Sequence, residues 1–101
     1  MEKMINFDFK DIDFKGGEIR YDSYYLTLEE DMLAVDYPHG FFIDAGWYQD
    51  LFKIYVIRDY AWDVPENVYE AHNDKEFYEK LLEAIEFTCK EYPKYKSNMC
   101  L

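Results

Sequence analysis

Four carboxylates, Asp44, Asp50, Asp59 and Asp63, fall within one short stretch of the chain. Two such groups on either side of a glycosidic bond could supply the acid and the base of a hydrolysis. In a chain with 22 acidic residues among 101, such a coincidence is expected by chance. A domain of this size also leaves little room for both a core and a substrate pocket. A small carboxylate-dependent enzyme is therefore the weaker alternative. The other chemistries have less behind them. Ser23 and Ser97 are the two serines, and neither lies in a nucleophile elbow. Cys89 falls on the apolar side of a predicted helix, where it reads as a small core residue. Cys100, at the end of the chain, has no base to orient it. His39 and His72 lack helical ligand spacing to a further ligand, and Gly16-Gly17 lacks the Lys-Ser or Lys-Thr of a phosphate loop. The expectation is no catalytic residue, no metal and no cofactor.

A second pattern is more informative: aromatic rings beside acids. It recurs at Tyr21-Asp22, Asp36-Tyr37, Trp47-Tyr48-Gln49-Asp50 and Asp59-Tyr60-Ala61-Trp62-Asp63. Trp and Tyr anchor protein interfaces because they bring large area at low rotamer entropy. Carboxylates next to them can meet Arg or Lys of a partner and speed the encounter. Trp47 is in phase with Ile43 and Ala45, so it reads as core. Trp62, in a loop between acids, is open to either reading.

Composition sets the frame. Half of the residues are hydrophobic and 21% are aromatic, so one domain spanning 1–101 can bury a core. The net charge of −11 sets the chain against nucleic-acid phosphates and anionic membranes. That acidity has two readings: it keeps a tyrosine-rich protein in solution, or it attracts a basic partner. Residues 1–14 show no secretory pattern, and no apolar run approaches the ~20 residues of a membrane span. With two cysteines a disulfide framework is not expected, so a cytoplasmic location is.

The elements that must position these residues follow from periodicity. Ile5, Phe7 and Phe9 alternate in one phase, Ile12 and Phe14 in the other, so a bulge or break is expected near Lys10-Asp11. Gly16-Gly17 is a turn. Extended stretches are expected at Glu18–Leu28, Met32–Tyr37, Phe41–Tyr48 and Leu51–Tyr60, with turns at Pro38-His39-Gly40 and Tyr48-Gln49-Asp50. In the last of these strands Phe52, Ile54 and Val56 share one face, and Lys53, Tyr55 and Ile57 the other. Val68–His72 is a short final strand. From Asp74 to Tyr92 the apolar positions Phe77, Tyr78, Leu81, Leu82, Ile85, Cys89 and Tyr92 follow a helical period. Asn73 caps this helix, with Glu76 at capping-box spacing, and Pro93 ends it before a frayed tail over 94–101. The fold class is α+β: a meander-like antiparallel sheet of four to five strands under one C-terminal helix. The second sheet face must be curled, covered by the N-terminal segment, or used for binding.

The run Phe42 to Pro65 reads F-I-D-A-G-W-Y, a short loop, F-K-I-Y-V-I-R-D, then A-W-D-V-P. It resembles small bacterial proteins grouped with the immunity proteins of toxin–immunity systems. The resemblance covers about a quarter of the chain and brings no catalytic residues. It implies a cytosolic inhibitor that covers a toxin's active site. The expected partner is a basic toxin domain, a nuclease being favoured, with no direct contact to nucleic acid or membrane. The expected contact set is Tyr24, Tyr25, Asp44, Tyr48, Asp50, Asp59, Trp62 and Asp63. A phage-type inhibitor that imitates nucleic acid would use the same acidity against a host nuclease. The chain is expected to be a monomer or a homodimer.

Overall fold

The computed structural model describes residues 8–22 and 32–95. They form a five-stranded antiparallel sheet and one long helix, an α+β fold. The strands are β1 (Glu18–Asp22), β2 (Leu33–Asp36), β3 (Phe41–Tyr48), β4 (Leu51–Arg58) and β5 (Asn67–Ala71), and the helix is α1 (Asp74–Glu91). The sheet order β1-β2-β3-β4-β5 is the chain order, a meander. Ile5, Phe7 and the predicted continuation of the first strand to Leu28 lie outside the described residues, as do Tyr24 and Tyr25.

The tight turns arise where the backbone enters the left-handed region. Gln49 and Asp50 have φ of 49° and 71°, so β3 and β4 are joined by a two-residue hairpin whose twist matches the strands. Tyr48 pairs with Leu51 and belongs to the strand rather than to the loop. Between β2 and β3 the chain turns through Pro38–Gly40, where His39 and Gly40 have φ of 63° and 83°. The fourth strand stops at Arg58, short of the expected Tyr60, because Asp59 and Tyr60 both take positive φ. The phase change expected near Lys10-Asp11 is a 3-10 turn over Phe9–Asp11, capped by the Asp8 side chain accepting from the Lys10 N–H at 2.9 Å. Phe9 is thus in a turn rather than a strand, yet it is fully buried.

The core lies between the inner sheet face and α1. It contains Leu33, Val35, Ile43, Ala45, Phe52, Ile54 and Val56 from the strands, with Phe77, Leu81, Ala84 and Ile85 from the helix. Phe52 and Phe77 stack across the interface with centroids 4.3 Å apart and planes 5° apart, and Phe9 meets Phe77 edge-on at 6.1 Å. The helix stripe differs from the expected one. Tyr78 and Leu82 are each 40% exposed, while Ala84 and Thr88 are buried in their place. The Thr88 hydroxyl is satisfied within the helix by donating to the Ala84 carbonyl at 2.8 Å. Asn73 caps α1 as expected, accepting from the Glu76 N–H at 2.9 Å. The capping box does not close on Asn73: Glu76 Oε1 accepts from the His72 N–H instead, one residue earlier, at 2.9 Å. Pro93 lies in a 3-10 turn over Tyr92–Tyr95 that continues the chain beyond α1.

Candidate binding face

On the outer sheet face the register brings Phe42, Asp44 and Tyr48 of β3 beside Ile57, Tyr55 and Leu51 of β4. This face is covered at one end by the loop between β4 and β5, a possibility the sequence reading did not include. The loop leaves the sheet through the positive-φ pair Asp59-Tyr60. It returns where the Glu66 N–H donates to the Val56 carbonyl at 2.8 Å. Two of its rings fold back onto Phe42: Tyr60 at 5.2 Å and Trp62 at 5.6 Å between centroids. Trp62 also meets Tyr55 edge-on at 5.7 Å, and Tyr55 meets Tyr48 at 6.3 Å. The result is a continuous ledge of rings running Tyr48, Tyr55, Trp62, Phe42, Tyr60. Phe42 is its buried root, at 3% exposure, while Trp62 is 46% and Tyr60 70% exposed. Trp62 therefore has both roles left open by the sequence: one side of the indole packs and the other faces outward. Trp47 packs on the inner side, edge-on to Phe52 at 4.7 Å, as its phase predicts.

The acids of the expected contact set are placed differently from one another. Asp50 is exposed in the hairpin turn and Asp63 is exposed beside Trp62. Neither makes an ion pair among the described residues. Asp59 is exposed but its carboxylate accepts from Arg58 at 3.1 Å. Asp44 is not a surface charge. It is 6% exposed and accepts from the Tyr21 hydroxyl at 3.3 Å. The alternation that pointed it away from the inner core places it in the covered part of the outer face. Tyr48 is half-buried.

Two arginines build sites that the sequence reading did not single out: Arg20 beside Phe42 on this face, and Arg58 on the inner side, in phase with Phe52, Ile54 and Val56 and paired with Phe41. A bulge in β1 leaves Arg20 without a directly opposed residue. Its guanidinium lies over Phe42, 4.9 Å from the centroid, and grips Asp36 with two hydrogen bonds, one of them from Nε at 3.1 Å. The hydrogen bonds to Asp36 raise the Arg20 pKa further. Arg58 lies over Tyr95 at 4.4 Å and donates to Glu66 and Asp59. Both sites combine a guanidinium, a ring and a carboxylate. Tyr55, Tyr60 and Phe42 were also outside the expected set, although the opposite-face position of Tyr55 was a readable signal.

The remaining candidates for chemistry are dispersed. His72 lies beside Glu76, ring nitrogen to carboxylate oxygen 3.3 Å, and His39 packs against Tyr92. Cys89 packs at the core margin, where burial pushes its thiol pKa up. Among the described residues no three His, Cys, Asp or Glu side chains gather as a metal site would require. Among them, too, no helix is long and apolar enough to cross a membrane.

No protein-family model, no curated protein and no solved structure matches this chain.

Proposed function

We propose that this protein is an immunity-type inhibitor: it binds a basic toxin domain, a nuclease by preference, and blocks its active site without catalysing a reaction itself. One observation carries the reading. The half-exposed ledge around Trp62 is flanked by Asp50 and Asp63, two exposed acids without an ion pair among the described residues. A preformed aromatic anchor beside available carboxylates suits an Arg- or Lys-bearing surface. The two guanidinium sites that the molecule builds for Arg20 and Arg58 use the same chemistry internally. The resemblance to immunity proteins supports the same reading, because its span, Phe42 to Pro65, contains all five rings of the ledge. The net charge of −11 adds a long-range attraction to a cationic partner.

The carboxylate-enzyme alternative has less support. It calls for two acids facing one cavity, and among the described acids Asp44 is the buried one.

Pull-down with the product of the adjacent gene tests the proposal. The expected result is a complex that charge reversal at Asp50→Lys and Asp63→Lys disrupts. No complex, or one indifferent to both reversals, overturns it.

A further inference from the structure

On the helix side of the sheet, the segment after the Phe9–Asp11 turn runs beside α1 and leaves a groove of ≈ 440 Å³ between them. Its floor is apolar and buried: Ile12 and Ile85. Tyr78 and Leu82 project into it from α1, each 40% exposed. They are four residues apart, so they stack on one helix face, one turn above the other. These two large side chains are left partly in water, whereas Phe77, Leu81 and Ile85 of the same stripe are buried.

The rim is acidic. Asp11, Asp13, Glu83 and Glu86 line it, with Lys15 as its single cation. Glu83 has Lys80 at 3.5 Å, whereas Asp11 and Glu86 have no ion pair among the described residues. An apolar floor between acidic walls matches one kind of occupant, a helix with an apolar stripe bordered by Lys and Arg. A second copy of this chain fits poorly, since it would bring the same acidic rim and a further −11 of charge.

We propose that this groove docks the apolar stripe of a basic amphipathic helix from a protein partner. The surface lies across the sheet from the Trp62 ledge, so this inference does not rest on the immunity reading.

Fluorescence anisotropy with a labelled Leu/Lys amphipathic helical peptide tests it, with a scrambled peptide of equal composition as control. Four chains are compared: wild type, Leu82→Lys, Glu86→Lys and Trp62→Ala. Both altered groove residues are exposed, and circular dichroism verifies that the variants fold. The amphipathic peptide is expected to bind wild type and Trp62→Ala equally, and each groove variant about tenfold more weakly or worse. The scrambled peptide should bind far more weakly. Equal binding of the two peptides would reduce the effect to bulk charge and overturn the proposal, as would indifference to Leu82→Lys. Light scattering that finds self-association lost on Leu82→Lys would give the groove to a second copy and overturn it too. A failed toxin pull-down leaves these outcomes unaffected, so the two readings fail separately.

Discussion

The indole of Trp62 meets the ring of Phe42 nearly edge to face, their planes 64° apart. Phe42 is buried in the outer sheet face and Trp62 is half outside it. The pair links the covered part of that face to its exposed rim, and the two residues should respond differently to truncation. Phe42→Ala should cost about 3–5 kcal/mol, the range for emptying a buried aromatic site. Trp62→Ala should cost about 1–2 kcal/mol, since roughly half its area is already in water. Urea unfolding of both variants measures the difference. Equal losses would mean that Trp62 is a core residue and not an available anchor.

Tyr37 fastens the N-terminal segment to β2. Its hydroxyl donates to the Phe14 carbonyl at 2.7 Å in the interior, and its ring stacks with Tyr92. Tyr37→Phe should cost about 1–3 kcal/mol, because a buried carbonyl loses its donor. Burial, with smaller contributions from Cys89, Tyr92 and Asp13, pushes the phenol pKa upward. The folded value is above the unfolded one, so the stabilisation is complete below the ordinary tyrosine range. It is lost as pH rises from there through the folded value. Alkaline unfolding curves for wild type and Tyr37→Phe should converge for this reason.

Gly40 and Gly16 both have positive φ, 83° and 94°, but their surroundings differ. A Cβ on Gly40 would collide with the Asp59 carboxylate, whereas one on Gly16 would meet open space. Gly16→Ala should cost about 1–2 kcal/mol from backbone strain alone. Gly40→Ala should cost more, because Asp59 must move as well. Thermal melts of the two variants provide the comparison, and the ranking contradicts the structure if it is reversed.

Glu76 ties His72 to the start of α1. Its carboxylate pKa is lowered, first by accepting from the His72 backbone N–H and then by the His72 side chain and Lys80. A folded value below the unfolded one means that the stabilisation is present above the ordinary carboxylate range and lost as pH falls through the folded value. Glu76→Gln should therefore be less stable than wild type at neutral pH, with the gap closing in acid. Denaturant midpoints across that pH range check the sign.

Much of the architecture was readable from period alone. The third strand, Phe41–Tyr48, is bounded as its alternation predicts, and the inner-face residues of β4 are the ones its phase selects. Periodicity failed where a neighbour decides burial. The apolar pattern on α1 was wide enough to include Tyr78 and Leu82, but the sheet covers the side that carries Ala84 and Thr88. Asp44 followed the same logic in reverse. Alternation assigns it correctly to the outer face, but the loop that covers one end of that face carries no periodic signal. The ledge was visible only in part. Trp62 and Tyr48 stand out beside acids in the sequence, but their connection through Tyr55 depends on the loop after Arg58 folding back. That fold-back rests on two left-handed residues, Asp59 and Tyr60, neither of them glycine.

The Trp62 ledge and its flanking acids form the proposed toxin-binding surface. Titration calorimetry of wild type and Trp62→Ala against the purified product of the adjacent gene, repeated at raised salt, tests it most directly. The prediction is an affinity loss of at least about tenfold, near 1.4 kcal/mol, for the variant, and weaker binding by both chains as salt screens the acids. A complex of equal affinity with Ala at position 62, unchanged by salt, would contradict it.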